Sequence, residues 1–316
     1  MARVLVTRRL PAGGLDPLAG DELVERDDDA PLSPEELRAA MADVEAVVCL
    51  LSDRISADVI AAAPRLRVIA NVAVGYDNVD VDAATRAGVA VCNTPDVLTE
   101  TTADLAFALI LAAARLLSEA ERELRAEWAG WGINQYLGQD VHGATLGVVG
   151  FGRIGWAVAR RAAGFDMTVL HHSRTPTGEL GEVGDLDDLL RRSDVVSLHV
   201  PLTPDTRHLI DARRLGLMKS TAVLVNTARG PIVDEEALAA ALEEGRIFAA
   251  GIDVYEHEPD VHPRLLAAPR AVLLPHIGSA SVATRTAMAR LAAEGARAVL
   301  AGERPPNLVN PEVFER

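Results

Sequence analysis

The chain is poor in cysteine, in positive charge and in long apolar runs, and each shortage excludes something. Its two cysteines, Cys49 and Cys92, sit in strand-like apolar runs, AVVCLL and VAVCNTP. A disulfide framework or thiolate metal site is thereby disfavoured, and two buried free thiols in a reducing cytoplasm are expected. Lys and Arg number 31 against 46 Asp and Glu, a net charge of −15. No basic stripe offsets that balance, which argues against a nucleic-acid partner. No apolar run reaches the roughly 18 residues of a membrane span. FALILAAARLL (107–117) suits a buried helix instead. The N-terminus, MARVLVTRRL, enters a strand-like pattern at once and lacks a signal peptide's apolar region and cleavage site. A cytoplasmic protein with no membrane partner is expected. No His/Cys cluster has metal-ligand spacing. His171 and His172 are adjacent on a strand, face opposite sides and chelate poorly.

At 316 residues the chain fits two domains rather than one. Short apolar runs alternate with amphipathic stretches. Strands are predicted at 3–7, 46–51, 67–72 and 89–93, and helices at 33–41, 56–63 and 80–88. Ser33, Pro34 and Glu36 form a helix-start signature, and Gly88 a helix end. Residues 101–117 read as helix-like, apolar nearly all round and therefore buried. Residues 126–142 are irregular and hold two of the three tryptophans. A second series follows: TLGVVGFG, MTVLHH, VVSLHVP, AVLVNTA, AAGIDVY, AVLLPH. Residues 282–302 form an amphipathic helix with Met288, Leu291, Gly295 and Ala298 along one side, closed by Gly302. Such alternation implies α/β architecture: two Rossmann-like or flavodoxin-like doubly wound parallel-sheet domains.

Gly150-Phe-Gly152-Arg153-Ile154-Gly155 follows a strand and opens a helix. In that context each glycine has a task. Gly150 allows the tight turn, Gly152 lets backbone approach a pyrophosphate, and Gly155 lets helix and strand pack closely. The helix N-terminus then attracts the phosphates. What is missing is the acid that, in a dinucleotide fold, ends the next strand and holds the ribose. MTVLHH ends instead in Ser173, Arg174 and Thr175. Two hydroxyls and a guanidinium would receive a 2′-phosphate through charge-assisted bonds. NADP(H) is therefore expected as the preferred cofactor, with NAD(H) possible.

NVAVGYDNVD (71–80), NTPDVLTETTADLAFALILA (93–112), GFGRIGWAVARRA, SRT, SLHVPLTPDTRHLI (197–210), VNTARGPIVDEEALAAAL (225–242), GIDVYEHEP (251–259) and LLPHIGS (273–279) run through most of the chain. Together they resemble the D-isomer-specific 2-hydroxyacid dehydrogenases, most of all the NADPH-dependent glyoxylate/hydroxypyruvate reductases. The resemblance implies a substrate-binding domain of residues 1–97 plus 284–316 and a dinucleotide-binding domain of residues 98–283. It also implies an active-site cleft between them and a homodimer.

It further implies a catalytic trio of Arg229, Glu258 and His276. Their chemistry suits reduction of a small 2-keto acid. Arg229 offers a forked cation for the carboxylate and carbonyl oxygens. His276 can be the general acid/base. An ionised Glu258 would support the imidazolium and fix the ring. Leu51, Val74 and Gly75 match substrate-pocket positions, the last two through backbone amides. Cofactor contacts are implied at Thr102, Gly150, Gly152, Arg153, Ile154, Gly155, Ser173, Arg174, Thr175, Val200, Pro201, Thr206, Thr227, Ala228, Asp253 and Gly278. Formate dehydrogenases carry glutamine at Glu258 and phosphite dehydrogenases lysine at Val74, so both substrates are disfavoured. Phosphoglycerate dehydrogenases usually keep the ribose acid and often add a regulatory domain. Asn134 and Gln135, near Trp131 and Tyr136, depart from the reductases and leave the keto acid open. Two other readings stand: an NAD-dependent dehydrogenase for a bulkier 2-keto acid, and a non-enzymatic dinucleotide-sensing corepressor.

Overall fold

The computed structural model describes residues 1–315. The chain forms two compact units, Met1–Leu98 with Ser279–Arg316, and Thr99–Gly278. Each is an all-parallel sheet flanked by helices.

The first unit holds β1 (Arg3–Val6), β2 (Glu22–Glu25), β3 (Ala46–Cys49), β4 (Val68–Asn71) and β5 (Ala90–Cys92), in the order β2-β1-β3-β4-β5. That is the flavodoxin-like winding. β3, β4 and β5 are buried throughout, as their unbroken apolar runs require. β2 (ELVE) escapes the periodicity reading because it is an edge strand with exposed glutamates at both ends. The helix Pro34–Met41 starts with the expected capping box. Ser33 Oγ accepts from Glu36 N–H at 3.3 Å, and Glu36 Oε2 accepts from Ser33 N–H at 2.8 Å. The helix Val282–Leu300 buries Met288, Ala292, Gly295 and Val299 on one side. Gly295 admits Asn307 close against it, which in turn donates to Asn93 O at 2.8 Å.

The second unit holds β6 (Thr145–Val149), β7 (Thr168–His172), β8 (Val195–Leu198), β9 (Val223–Asn226), β10 (Ala249–Ile252) and β11 (Ala271–Leu273), in the order β11-β10-β9-β8-β6-β7. Winding reverses at β6, so a switch point lies between β6 and β8, where such sheets bind ligands. Register aligns the strand ends. Val149 pairs with His172 and Leu198, Leu198 with Asn226, Asn226 with Ile252, and Ile252 with Leu273. Residues one to four places beyond these ends therefore emerge along one edge of the sheet.

The apolar stretch at 101–117 is helical over Thr99–Ala114, and a second helix, Leu117–Ala126, follows it. The chain turns at Leu116, whose φ of 53° is left-handed. Thr99–Ala114 packs over the sheet so closely that a Cβ on Gly251 would stand 2.9 Å from that of Leu109. Leu109 and Ile110 are fully buried, each contributing about 1.5–3 kcal/mol relative to exposure. Leu117–Ala126 buries no residue. Among the described residues no single helix is long and apolar enough to cross a membrane. These two meet that measure only jointly, across a 64° bend. Cys49 and Cys92 are buried free thiols, and no group of described residues has metal-ligand geometry.

Candidate active site

Three loops past β9, β10 and β11 carry the charged trio. His276 Nδ1 lies 2.8 Å from Glu258 Oε2, so its Nε2 is the nitrogen left for a substrate. Its φ of 54° is left-handed, an uncommon state for a residue with a side chain. Glu258 Oε1 accepts from Tyr255 N–H at 3.0 Å. Burial pushes the Glu258 carboxyl up, but the His276 hydrogen bond and charge, the Tyr255 amide and the Arg229 charge outweigh it. The net pKa lies below the ordinary carboxylate value. Arg229 is thus coupled to the pair electrostatically. Its own backbone is set by Asn226, whose Nδ2 donates to Arg229 O at 2.9 Å and whose Oδ1 accepts from Ala228 N–H at 3.1 Å. Gly230 follows because nothing else fits. A Cβ there would overlap the Tyr255 carbonyl carbon at 1.8 Å, so the Arg229 loop lies directly on the Glu258 loop.

Asp253, at the end of β10, is 1% exposed. It accepts from Ile277 N–H at 2.7 Å and Gly278 N–H at 2.8 Å. Burial raises its pKa, only partly opposed by those amides and by the His276 charge. Its bonds fix the backbone just after His276. Thr102 packs within 3.7 Å of where a Gly278 Cβ would stand. Thr227 is buried, and its hydroxyl is one of the few buried side-chain polar atoms with no partner among the described residues.

A second pair of carboxylates escaped the sequence reading. Glu235 accepts from Glu256 N–H, and Glu256 accepts in return from Glu235 N–H at 3.1 Å. Glu235 also accepts from His262 N–H at 3.2 Å, and Glu256 Oε2 meets His208 Nε2 at 2.8 Å. These bonds clamp the segment leading to Glu258. Separations of up to 48 residues leave no local signal of them.

The glycine turn follows β6 at the switch point. Gly150 has φ 92°, and a Cβ there would strike His199 O at 2.6 Å. A Cβ on Gly155 would stand 2.1 Å from Gly150 O, so close helix–strand packing needs glycine there. Gly152 faces open space and caps the helix Arg153–Ala162. Gly152 and Arg153 are exposed, and Ile154 is half-buried. Ser173 Oγ accepts from Phe151 N–H at 2.9 Å, joining the end of β7 to the turn. Arg174 and Thr175 are exposed. A carboxylate does occur nearby, Glu182, but its oxygens accept from Thr177 N–H at 2.9 Å and Gly178 N–H at 2.8 Å. His171, for which sequence offered no role, is fully buried and stacks on Phe151 with ring centroids 3.8 Å apart. His172 Nδ1 meets Val183 O at 2.9 Å instead. Beyond β8, Val200 is half-buried and Pro201 exposed, and Thr206 Oγ1 donates to Pro201 O at 2.7 Å.

In the first unit, Leu51 follows β3 and is 37% exposed. Val74 and Gly75 follow β4 and are half-buried. Asn93 Nδ2 donates to Val74 O at 2.8 Å, and Asn71 Nδ2 to Gly75 O at 2.9 Å.

A glycine turn at the switch point, with a paired imidazole and carboxylate past neighbouring strands of the same sheet, defines a dinucleotide-dependent oxidoreductase. Residues 107–278 match the family model for the D-isomer specific 2-hydroxyacid dehydrogenase, NAD binding domain. A glyoxylate reductase of Thermococcus onnurineus is 50% identical over 99% of this chain and 97% of its own. One of Korarchaeum cryptofilum is 51% identical with the same coverage. An NADPH-dependent glyoxylate/hydroxypyruvate reductase of Sinorhizobium meliloti, solved with NADP and malonate, superposes with a TM-score of 0.86. It is 36% identical, over 100% of this chain and 98% of that one. The chain belongs to the D-isomer-specific 2-hydroxyacid dehydrogenase family and is an NAD(P)-dependent oxidoreductase.

Proposed function

We propose that this protein reduces glyoxylate or hydroxypyruvate to the corresponding 2-hydroxy acid with NADPH. The observation that carries the reading is the 2.8 Å His276–Glu258 pair, held on a left-handed backbone residue beside Arg229. The names of the relatives support the substrate class.

The residues present fit a dinucleotide. Gly152 leaves its backbone open, the helix behind it starts with uncapped amides, and Thr227 offers a buried, unpartnered hydroxyl. Gly150, Gly152, Arg153, Ile154 and Gly155 would hold the pyrophosphate. Val200, Pro201 and Thr206 would line the adenosine side. Thr102, Thr227, Ala228, Asp253 and Gly278 would surround the nicotinamide end. Ser173, Arg174 and Thr175 would take the 2′-phosphate. Glu182 is engaged with the loop backbone, which supports reading this end of the site without the ribose acid of an NAD site.

A bound dihydronicotinamide supplies the hydride that forms the new C–H bond. Arg229 would hold the substrate carboxylate with a forked, charge-assisted contact. Leu51 would bound the substrate, and the backbone amides at Val74 and Gly75 would add donors to its carboxylate. As the carbonyl π bond breaks, its oxygen takes a proton from His276 Nε2. The imidazole ends neutral, with Nδ1–H still on Glu258. The reverse oxidation uses His276 as base.

We also propose a homodimer. Leu117–Ala126 buries nothing, and Leu124, Trp128, Trp131, Ile133 and Leu137 on it and just after it are exposed large apolar side chains, which a partner copy would cover. A monomer by light scattering refutes this.

The experiment is a rate matrix of NADPH and NADH against glyoxylate, hydroxypyruvate, pyruvate and larger keto acids, with wild type and Arg174→Ala. Turnover fastest with NADPH and the two small acids is expected. Arg174→Ala should cost NADPH about tenfold in kcat/KM, or 1.4 kcal/mol, and leave NADH unchanged. Equal loss for both cofactors removes the phosphate role. No turnover with any acid removes the function.

A further inference from the structure

The loops after β3 and β4 are joined by side-chain amides. Asn78 Nδ2 reaches Leu50 O and Asp53 O, both at 3.1 Å, and Asn71 Oδ1 at 3.2 Å. Asn71, fully buried, donates to Gly75 O and meets Asn78 Oδ1 at 3.2 Å. Ile55 and Val79 add a backbone bridge between the same two loops. Asn78 O accepts from Ile55 N–H at 2.9 Å, and Ile55 O from Asp80 N–H at 2.9 Å. Asp53 is 2% exposed. It accepts from Thr7 Oγ1 at 2.5 Å and Leu50 N–H at 2.8 Å, with Arg8 Nη2 at 3.5 Å.

Three successive carbonyls of the second loop are tied down. Ala73 O accepts from Thr94 N–H at 2.8 Å, Val74 O from Asn93 Nδ2, and Gly75 O from Asn71 Nδ2. In a trans peptide the N–H points opposite to its C=O. Anchoring these carbonyls therefore turns the N–H groups of Val74, Gly75 and Tyr76 away from the anchors. Backbone N–H groups turned away from their anchors are donors that can meet an anion.

We propose that Asn71, Asn78 and Asn93 are positioning residues for the carboxylate of the 2-keto acid. Asn93 and Asn71 aim the Gly75 and Tyr76 amides by holding the carbonyls behind them, beside a Val74 amide set by Thr94 N–H on Ala73 O. Asn78 holds Asn71 and fixes the Leu51 loop in register with those amides. The proposal rests on the reading of Val74, Gly75 and Leu51 as substrate contacts. The anchors are neutral. Carboxylates could not do this work, since they cannot donate to a carbonyl and would repel the substrate.

Steady-state kinetics of Asn93→Ala and Asn78→Ala, with inhibition by oxamate, test it. Oxamate carries the same carboxylate beside a carbonyl but accepts no hydride. KM for glyoxylate and the oxamate inhibition constant should each rise about tenfold, with kcat within about threefold and the NADPH Kd within about twofold. Hydrogen exchange supplies a readout that needs no turnover. In Asn78→Ala, amides at 50–55 and 72–80 should both exchange faster, while the second unit stays as in wild type. The proposal is overturned by an unchanged KM, by a fall in kcat at constant KM, or by loss of NADPH binding in step with glyoxylate. Acceleration of only one loop also overturns it. If wild type fails to reduce glyoxylate, the functional reading fails, while the exchange result still decides whether Asn78 couples the loops.

Discussion

In the second unit the loops that carry Glu258 and His276 are held by carboxylates that accept backbone N–H groups, and only the Arg229 loop is braced by a side-chain amide, that of Asn226. In the first they are held by side-chain amides that donate to backbone carbonyls. Asp253, Glu258, Glu256 and Glu235 do the first kind of work, and Asn71, Asn78 and Asn93 the second. Both fix a loop through hydrogen bonds of similar length, but they leave different fields behind. Carboxylates add negative charge beside His276, with Glu258 Oε2 2.8 Å from its Nδ1. Amides add none, which suits a loop proposed to meet an anionic substrate in a chain of net charge −15. The one buried carboxylate of the first-unit loops, Asp53, has a guanidinium beside it.

The largest break in that comparison removes the group the second unit's charges serve. His276→Ala should lower kcat by about 100- to 10,000-fold, the usual worth of a general acid, with little change in NADPH Kd. Single-turnover rates with glyoxylate check it, and a variant within tenfold of wild type would displace His276 from the role.

Glu258→Gln imports the first unit's neutral chemistry into the second. Glutamine keeps an acceptor for Tyr255 N–H but loses the charge. The rate should fall about 10- to 100-fold, less than for loss of the acid itself. The pH profile carries the sharper information. Glu258 is held below its ordinary value of 4.5, so its ionised form, and the support it gives His276, persists above that pH and is lost only as pH falls through the lowered pKa. A Glu258-dependent acid limb in kcat/KM should therefore lie below pH 4.5 and vanish in the glutamine variant. A limb that survives the substitution belongs to another group.

Much of the fold was legible because strand burial and strand composition coincide. AVVC, VIAN and VLVN are buried at every position, and the capping box at Ser33 is local. What stayed hidden was non-local or exposed. β2 alternates with glutamate at a sheet edge. The break at Leu116 needs a left-handed leucine, which no residue type announces. The glycine turn could be read because its three tasks are local, and the structure supplies the clash behind each of Gly150 and Gly155. Neither brace could be read. Asn78 lies 28 residues from Leu50 and Glu256 lies 21 from Glu235, and an Asn or Glu in a loop has ordinary local uses. The stack of His171 on Phe151 was hidden for the same reason.

The converse substitution, Asn93→Asp, puts the second unit's chemistry into the first. The aspartate can no longer donate to Val74 O, and it adds charge behind amides proposed to hold a carboxylate. Like charges near a protein surface repel by on the order of 1 kcal/mol or more at short range. KM for glyoxylate should therefore rise severalfold, about 5- to 10-fold, beyond that of Asn93→Ala. Only the excess is electrostatic, and ionic strength separates the two parts. Raising salt from roughly 0.01 M to 1 M shortens the screening length from about 30 Å to 3 Å. The gap between the aspartate and alanine variants should then narrow, while the rise common to both persists because it comes from a lost hydrogen bond. kcat should stay level in both, since neither change touches His276. If the gap ignores salt, or if Asn93→Asp binds glyoxylate as well as Asn93→Ala does, neutrality of the first unit's anchors has no bearing on the substrate. The contrast between the units would then concern loop geometry alone.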